Sequence, residues 1–199
     1  MTARGARRRE LLLGAALELF GALGYEGTHT RAIAERTGVT ESALFRHFRS
    51  KRDLYAAAVE RFAPDRVFDL SATQRDDLPL QEALRLLVHD SLETCREHQM
   101  WFRVVLASRP VLGPGPAGAV QLRLRNLGEE LLSMLHRRAR AGELDAERAA
   151  PARQVAMYAF RHCFRRLVRN PPEQWRDRQE RFAGNLSLIV AAGVRYSDG

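Results

Sequence analysis

Apolar positions recur every three or four residues along most of the chain, and no stretch alternates strictly between apolar and polar residues. Such spacing places apolar side chains on one face of an α-helix, and a glycine often marks a helix end. The pattern therefore predicts an amphipathic first helix that stops near Gly24. Its apolar face comprises Leu12, Ala15, Ala16, Leu19, Phe20 and Leu23.

Two short helices are predicted next. Thr28 is a suitable N-cap for the second helix, and Gly38 suits its end because glycine adopts the left-handed conformation at little cost. Thr40 is a suitable N-cap for the third helix. Leu44 and Phe48 lie four residues apart in this helix, so they share one face, which we expect to be buried.

A fourth helix and a domain boundary follow. Ser50 and Asp53 form a capping pair at the start of this helix. Residues 64–78 are mixed and polar, which is typical of a junction. We therefore expect an N-terminal domain over residues 1–63 and a C-terminal domain over residues 64–199.

The C-terminal part contains five more helical patterns. The segment PVLGPGPAG, residues 110–118, should interrupt them because proline removes amide donors and glycine loosens the backbone. With about nine helices, no strand pattern and no internal repeat, we expect an all-α fold in which a helical bundle follows the N-terminal domain. The five patterns cover residues 80–92, 100–108, 120–134, 156–167 and 175–189, and the third of these helices should end near Gly142.

Composition and charge narrow the class of protein. Hydrophobic residues make up 45% and charged residues 28% of the chain, which is typical of a globular protein. The formal charge of +8 and the isoelectric point near 10.6 favour a polyanionic partner, either nucleic acid or an acidic membrane surface. Lys51 is the only lysine, so arginine supplies nearly all the positive charge.

The cysteines and the N-terminus indicate a cytoplasmic location. Cys95 and Cys163 are far apart and lack metal-ligand spacing, so we expect neither a disulfide framework nor a metal site. The basic N-terminus precedes an apolar stretch, but Glu10 and Glu18 bracket that stretch, which favours an amphipathic helix over a signal peptide. No run of about twenty apolar residues is present to span a bilayer.

The second and third predicted helices have the pattern of a helix-turn-helix. Gly38 and Val39 form the tight turn, and the small side chain of Ala34 permits a close approach of the helices. Ile33 and Leu44 fill the space between them. The same pattern also occurs in helical hairpins that bind no DNA, so the pattern alone leaves both functions open.

Three segments in this region resemble the DNA-binding domain of the tetracycline-repressor (TetR) family. They are ALELFGALGYEGT, IAERTGV and ALFRHFRSKRDL, and they occur in the family's order and separation. The resemblance extends from Leu11 to Val59, about the first quarter of the chain. The remainder is similar to the family in being helical and of suitable length.

The resemblance implies that the third helix enters the major groove of DNA. It implies that a group of side chains in and after this helix faces DNA and that Lys51 meets phosphate. Arg46 is the main candidate for sequence recognition, because a guanidinium can bond two acceptors of guanine. Glu41 either accepts from cytosine or faces solvent as a favourable N-terminal acid. The implied group comprises Thr40, Glu41, Ser42, Phe45, Arg46 and His47.

Other residues are expected to position the backbone of the DNA. Thr28, Thr40, His47 and Lys51 are the predicted phosphate contacts, together with backbone amides at the starts of the second and fourth helices. The two threonines are also expected as helix caps, and His47 is alternatively a histidine at the edge of the core. Phe45 stands where the family usually has tyrosine, so it offers an apolar contact, such as one to a thymine methyl.

Four arginines lie close to the N-terminus, before the predicted first helix. They either reach phosphates or an adjacent groove, adding salt-sensitive affinity, or form a solvated tail. They are Arg4, Arg7, Arg8 and Arg9.

The resemblance also implies a small-molecule pocket in the C-terminal helices and a homodimer through the last two helices. The large apolar side chains in this half either line such a pocket or belong to the core. Small residues in the last helix favour close helix packing: Ala183, Gly184, Ser187, Ala191 and Gly193. The candidate pocket residues are Trp101, Phe102, Leu106, Met134, Met157, Tyr158 and Phe160.

Together these features favour a DNA-binding regulator, most simply a repressor that a small hydrophobic ligand releases from a palindromic operator. One alternative is a regulator that responds to oxidation of Cys95 and Cys163. Another is a helical enzyme or small-molecule carrier. We expect no enzymatic activity and no cofactor, because no nucleophile elbow, phosphate-binding glycine loop or HExxH pair occurs in the sequence.

Overall fold

The computed structural model describes residues 3–65, 68–107, 116–169 and 176–194. These residues form α-helices and one short 3-10 helix, Ser71–Gln74, and contain no strand, which confirms the all-α prediction. In the described part of the chain, no helix is both long and apolar enough to cross a membrane. The helices are α1 (Ala3–Gly27), α2 (Thr30–Arg36), α3 (Glu41–Phe45), α4 (Lys51–Arg61), α5 (Leu80–Glu97), α6 (Gln99–Ala107), α7 (Pro116–Arg140), α8 (Ala146–Arg169) and α9 (Arg176–Val194).

The chain divides into two compact units. The first consists of the described residues within Met1–Asp65 and His98–Val120, and the second of those within Arg66–Glu97 and Gln121–Gly199. Helix α6 packs against α1 and α4 in the first unit, a placement that the apolar pattern does not predict. The boundary at residue 64 stays a prediction.

The core of the first unit is built from one face of each helix. Phe20, Ile33 and Leu54 are almost completely buried. Trp101 in α6 is buried as well, and its indole nitrogen donates a 2.8 Å hydrogen bond to the carbonyl of Val59. These contacts hold α1, α2, α4 and α6 around one hydrophobic centre.

Helix α1 differs from the prediction at both ends. It begins at Ala3, so the four N-terminal arginines lie within the helix and not in a segment before it. Gly24 interrupts the helix with φ of 73° and ψ of 173°, as predicted, although one further turn continues to Gly27. Leu23, placed on the buried face by its spacing, is exposed.

Thr28 is not the N-cap of the second helix. That position belongs to His29, whose side chain makes no capping hydrogen bond. The Thr28 side chain is fully buried, and its hydroxyl lies 2.7 Å from the carbonyl oxygen of Gly24 and 3.0 Å from that of Leu19. Thr28 therefore closes the end of α1, and its hydroxyl is not available to phosphate.

The other predicted local signals are confirmed. Gly38 and Gly142 adopt positive φ angles of 67° and 79° just after α2 and α7. Thr40 caps α3 by accepting from the amide of Ala43 at 3.2 Å. Ser50 accepts from the amide of Asp53 at 3.1 Å and caps α4. Each signal acts within a few residues, so the sequence displays it directly.

The second unit is built around α5, which packs against α8 and α9. Most small residues of α9 serve this packing: Ala183, Ser187 and Ala191 are buried within the unit. These three side chains therefore pack within the chain, and a homodimer through the last two helices stays a prediction. Their size allows α9 to approach α5 closely.

Helix α7 starts within the segment predicted to interrupt it. Pro116 is its first residue, a position where the missing amide of proline costs nothing. Residues 108–115 lie outside the described part of the chain.

Near the C-terminal end of α7, Arg138 is buried and only 2% exposed. It donates to the carbonyl oxygens of Leu78 at 2.6 Å and Arg75 at 2.9 Å, and to Glu143 at 2.8 Å. Arg138 thus joins α7 to the segment before α5, as does Arg137, which donates to the carbonyl oxygen of Thr73 and to the carboxylate of Asp76.

Replacing Arg138 with methionine should destabilise the protein. The substitution leaves backbone carbonyls without donors in a buried position, and we expect a loss of about 3 kcal/mol in the free energy of unfolding. Urea unfolding followed by circular dichroism measures this loss. Arg140→Met, on the exposed side of the same helix, is the matched control and should change stability by less than about 0.5 kcal/mol. Equal stability of the two variants would show that the Arg138 contacts do not hold this segment.

Candidate nucleic-acid interface

Helix α3 is short and depends on its neighbours for its position. Leu44 is completely buried and Phe48 is 2% exposed, as predicted. Helix α3 ends at Phe45, however, and Phe48 follows it in a turn, where its amide donates to the carbonyl of Leu44 at 3.1 Å. Ile33 and Ala34 of α2 are buried beside the turn. The amide of Val39 donates to the carbonyl of Ala34 at 3.0 Å, closing that turn. Helices α2 and α3 thus form a helix-turn-helix with one anchored face.

The opposite face of α3 is exposed. Thr40, Ser42, Phe45 and Arg46 are all exposed, and the hydroxyls of Thr40 and Ser42 lie 3.0 Å apart. Thr40 also caps the helix, so its hydroxyl oxygen already accepts a backbone amide. The structure therefore gathers these four predicted residues into one accessible surface.

Glu41 has a partner that the sequence does not suggest. The hydroxyl of Thr30 in α2 donates to a carboxylate oxygen of Glu41, which is half-buried. This hydrogen bond joins the first turns of α2 and α3. Glu41 therefore helps to fix the orientation of α3, besides the two roles considered from the sequence.

Lys51 and His47 lie at the edge of the exposed surface and are half-buried. The Lys51 ammonium is 4.5 Å from the centroid of the Tyr25 ring and 3.4 Å from the carbonyl oxygen of Glu26. A cation over an aromatic face is held by electrostatic attraction. Sequence reasoning missed Tyr25, because the two residues are distant in the chain and share no local pattern.

One of the four N-terminal arginines, Arg9, contacts the helix-turn-helix. The Arg9 guanidinium lies 5.1 Å from the centroid of the Phe48 ring, so the first turns of α1 lie beside the end of the helix-turn-helix. Arg7 and Arg8 lie three and four residues after Arg4, so these three exposed arginines share one side of α1, roughly opposite to Arg9. These arginines therefore belong to a helix and not to the solvated tail considered from the sequence.

The second unit contains a small apolar cavity between α5, α7, α8 and α9. Its volume is about 20 Å³, room for roughly one water molecule. Ser91 is a polar residue in its wall, and the Ser91 hydroxyl has no hydrogen-bond partner within the described residues. Two predicted pocket residues, Met157 and Phe160, line the cavity. The pattern missed Leu84, Leu87, Val88, Leu127, Leu131 and Val190, which also line it.

The other five predicted pocket residues do not line this cavity. Trp101 and Phe102 are buried in the first unit, and Leu106 on the same helix is exposed. Met134 is buried elsewhere along α7, and Tyr158 is 77% exposed on α8. Helical spacing identifies apolar faces correctly but does not tell which unit each face joins.

The two cysteines are poorly suited to thiol chemistry. Cys95 and Cys163 are both free and buried. Burial raises the pKa of the Cys95 thiol well above its usual value, and burial also raises the pKa of Cys163 to about 11. Because the thiolate is the reactive form, both side chains are weak nucleophiles near neutral pH. These features disfavour the redox-responsive alternative.

The fold and the exposed face of α3 define an all-helical protein with an N-terminal helix-turn-helix. Residues 12–58 match the family model described as bacterial regulatory proteins, tetR family. This match lies in the first quarter of the chain, and it confirms the resemblance noted there.

Two individual relatives of this chain are transcriptional regulators. The chain is 27% identical over 146 residues to the transcriptional activator FasR of Mycolicibacterium smegmatis, covering 73% of this chain and 65% of FasR. It is 31% identical over 108 residues to the transcriptional regulator RutR of Escherichia coli K12, covering 53% of this chain and 51% of RutR. The matches thus span between half and two thirds of these relatives.

A solved structure shares the fold over nearly the full length. The ketosteroid transcriptional regulator KstR2 of Mycobacterium tuberculosis superposes with a TM-score of 0.69 and 18% identity. The superposition covers 96% of each chain. At this identity the similarity concerns the fold.

Proposed function

We propose that this protein is a sequence-specific DNA-binding regulator of transcription that acts in the cytoplasm. One observation carries the proposal. In the helix-turn-helix of α2 and α3, Leu44 and Phe48 anchor one face of α3, and the other face of α3 is exposed. In this mode α3 enters the major groove, where each base pair presents a distinct pattern of donors and acceptors. The relatives are regulators, so we assign the protein a role in regulation and not in catalysis.

The exposed residues divide into two roles. Arg46 reads a base edge, with Ser42 and Phe45 beside it, because a guanidinium can form two parallel hydrogen bonds to guanine. Thr40, His47 and Lys51 contact phosphates and set the register of the protein on the duplex. The arginines at the start of α1 add affinity that depends on salt.

A dimer would supply the second recognition helix. One short helix contacts too few base pairs, whereas two copies related by a two-fold axis read a palindrome. Support comes from large apolar side chains that α8 and α9 leave exposed: Val155, Tyr158, Leu188 and Ile189. These residues, in place of the small residues of α9, are the proposed dimer surface.

A small ligand in the second unit would control DNA binding. The apolar cavity marks where such a ligand would lie once neighbouring side chains move aside. A ligand that favours one arrangement of the two copies shifts the population toward that arrangement. We propose repression relieved by the ligand as the basic mode. Activation is the alternative mode, and FasR carries that description.

Substitutions at Arg46 and Lys51 should affect DNA binding in different ways. Arg46→Ala should reduce discrimination at one base pair by about 1–3 kcal/mol, because it removes the contacts to a base edge. Lys51→Ala should weaken binding to all duplexes alike and reduce the slope of affinity against salt by about one unit, because it removes one phosphate contact. Fluorescence anisotropy on duplexes selected from genomic fragments, at several salt concentrations, measures both effects.

Arg140→Ala is the control, since it removes an exposed arginine from α7. It should leave both the discrimination and the salt slope unchanged. The proposal is wrong if the selected duplexes are bound equally well by the Arg46 and Lys51 variants and by the unsubstituted protein.

A charge on the proposed dimer surface should separate the two copies. Ile189 is 61% exposed on α9, and glutamate there would place like charges close to the two-fold axis. We expect the dissociation constant of the dimer to rise at least about a hundredfold in sedimentation equilibrium. Leu122→Glu, which alters an exposed leucine of α7, should leave the dimer intact. Monomeric unsubstituted protein, or an undisturbed Ile189→Glu dimer, would exclude this interface.

A further inference from the structure

A second concave site lies on the surface of the second unit, beside the apolar cavity. It is an open groove of about 290 Å³ between α7 and α8. Its charged lining consists of Arg125, Arg153, Arg161 and Glu129. Three arginines and one glutamate leave the groove with a positive charge, which favours an anionic occupant.

Arg153 has unused hydrogen-bonding capacity in this groove. Its Nε atom is buried and has no hydrogen-bond partner among the described residues. One terminal nitrogen lies 3.8 Å from a carboxylate oxygen of Glu129, which is a loose ion pair with a largely exposed partner. A buried donor without an acceptor is costly, and an anionic oxygen would satisfy it by a charge-assisted hydrogen bond.

Met157 lines both the groove and the apolar cavity, so its side chain lies between the two. Arg153, Met157 and Arg161 follow one another at intervals of four residues and thus form one row along α8. Methionine is unbranched and adapts its shape readily. Opposite this row, Gly128 keeps the groove open, since a Cβ there would lie 3.6 Å from Cγ of Met157 and 3.8 Å from a terminal nitrogen of Arg153.

The cavity alone is too small for an effector, because pockets for small molecules usually have volumes of about 300–1,000 Å³. Displacement of the Met157 side chain would join the cavity to the groove. The combined site would have an apolar inner end and a basic outer end. Such a site matches a molecule with a hydrocarbon part and a terminal anion.

We propose that the effector is an amphipathic anion that enters between α7 and α8. Its carboxylate or similar anionic group bonds to Arg153 and is attracted by Arg125 and Arg161. Its apolar chain displaces Met157 and occupies the enlarged cavity. This inference rests on the proposed ligand-controlled function, for which it supplies the chemical class and the entry route.

Calorimetric titration of the full-length protein without DNA tests the site. Octanoate, 1-octanol and octylamine serve as probes of equal chain length, used below the concentrations at which they form micelles. We expect octanoate to bind once per chain and the neutral and cationic probes to bind at least about tenfold more weakly. Because DNA is absent, failure of this site and failure of DNA recognition are separate outcomes.

Three variants localise the site. Arg153→Met should weaken octanoate binding by about tenfold or more while keeping most of the apolar stem. Gly128→Leu should abolish binding by filling the groove. Leucine has a higher helix propensity than glycine, so this substitution does not weaken α7 itself. Arg123→Met removes an exposed arginine of α7 outside the groove and should leave the affinity unchanged.

Circular dichroism of each variant confirms that it is folded before the titration. No binding of octanoate by the unsubstituted protein would overturn the proposal. Equal binding of octanol would overturn it as well, and so would unchanged octanoate affinity in folded Gly128→Leu.

Discussion

The burial of two side chains, Leu44 and Phe48, gives helix α3 its position. Helix α3 spans five residues, and an isolated helix of this length is unstable in water because nucleation costs more than so few hydrogen bonds return. The buried pair, the glycine turn at Gly38 and the Thr40 cap together hold it in place. Because the anchors lie on one side, the opposite side of α3 with Ser42 and Arg46 is exposed, and the contacts proposed between α3 and DNA depend on that division.

Much of this site could be predicted from the sequence because its main determinants are local. The pattern identifies Gly38, Thr40, Leu44 and Phe48, because each of their signals acts within about one helical turn. These signals are a left-handed glycine, an N-cap and a four-residue spacing of apolar side chains. The contacts of Thr30 with Glu41 and of Lys51 with Tyr25 join residues far apart in the chain, and periodicity contains no information about them. The prediction for Thr28 is wrong because a threonine between two helices can either close the first helix or cap the second. The sequence does not distinguish these two roles.

The second unit shows the same limit on a larger scale. Its apolar stripes predicted each helix, whereas the partners of those stripes depend on the tertiary fold. The small residues of α9 pack against α5, and the large apolar residues of α8 and α9 remain exposed. Similarly, Met157 and Phe160 line a cavity while the equally apolar Trp101 belongs to the other unit. Composition therefore does not tell whether an apolar residue packs inside the chain or against a second copy. The burial of each residue in the structure makes that distinction.

Methylation interference on bound duplexes measures the orientation of α3 most directly. Methyl groups on guanine N7 lie in the major groove, whereas those on adenine N3 lie in the minor groove. We predict that guanine N7 methylation blocks binding at two half-sites whose centres are about one helical turn apart. Interference confined to adenine N3, or the absence of any interference at guanine, would contradict the placement of the exposed face of α3 in the major groove.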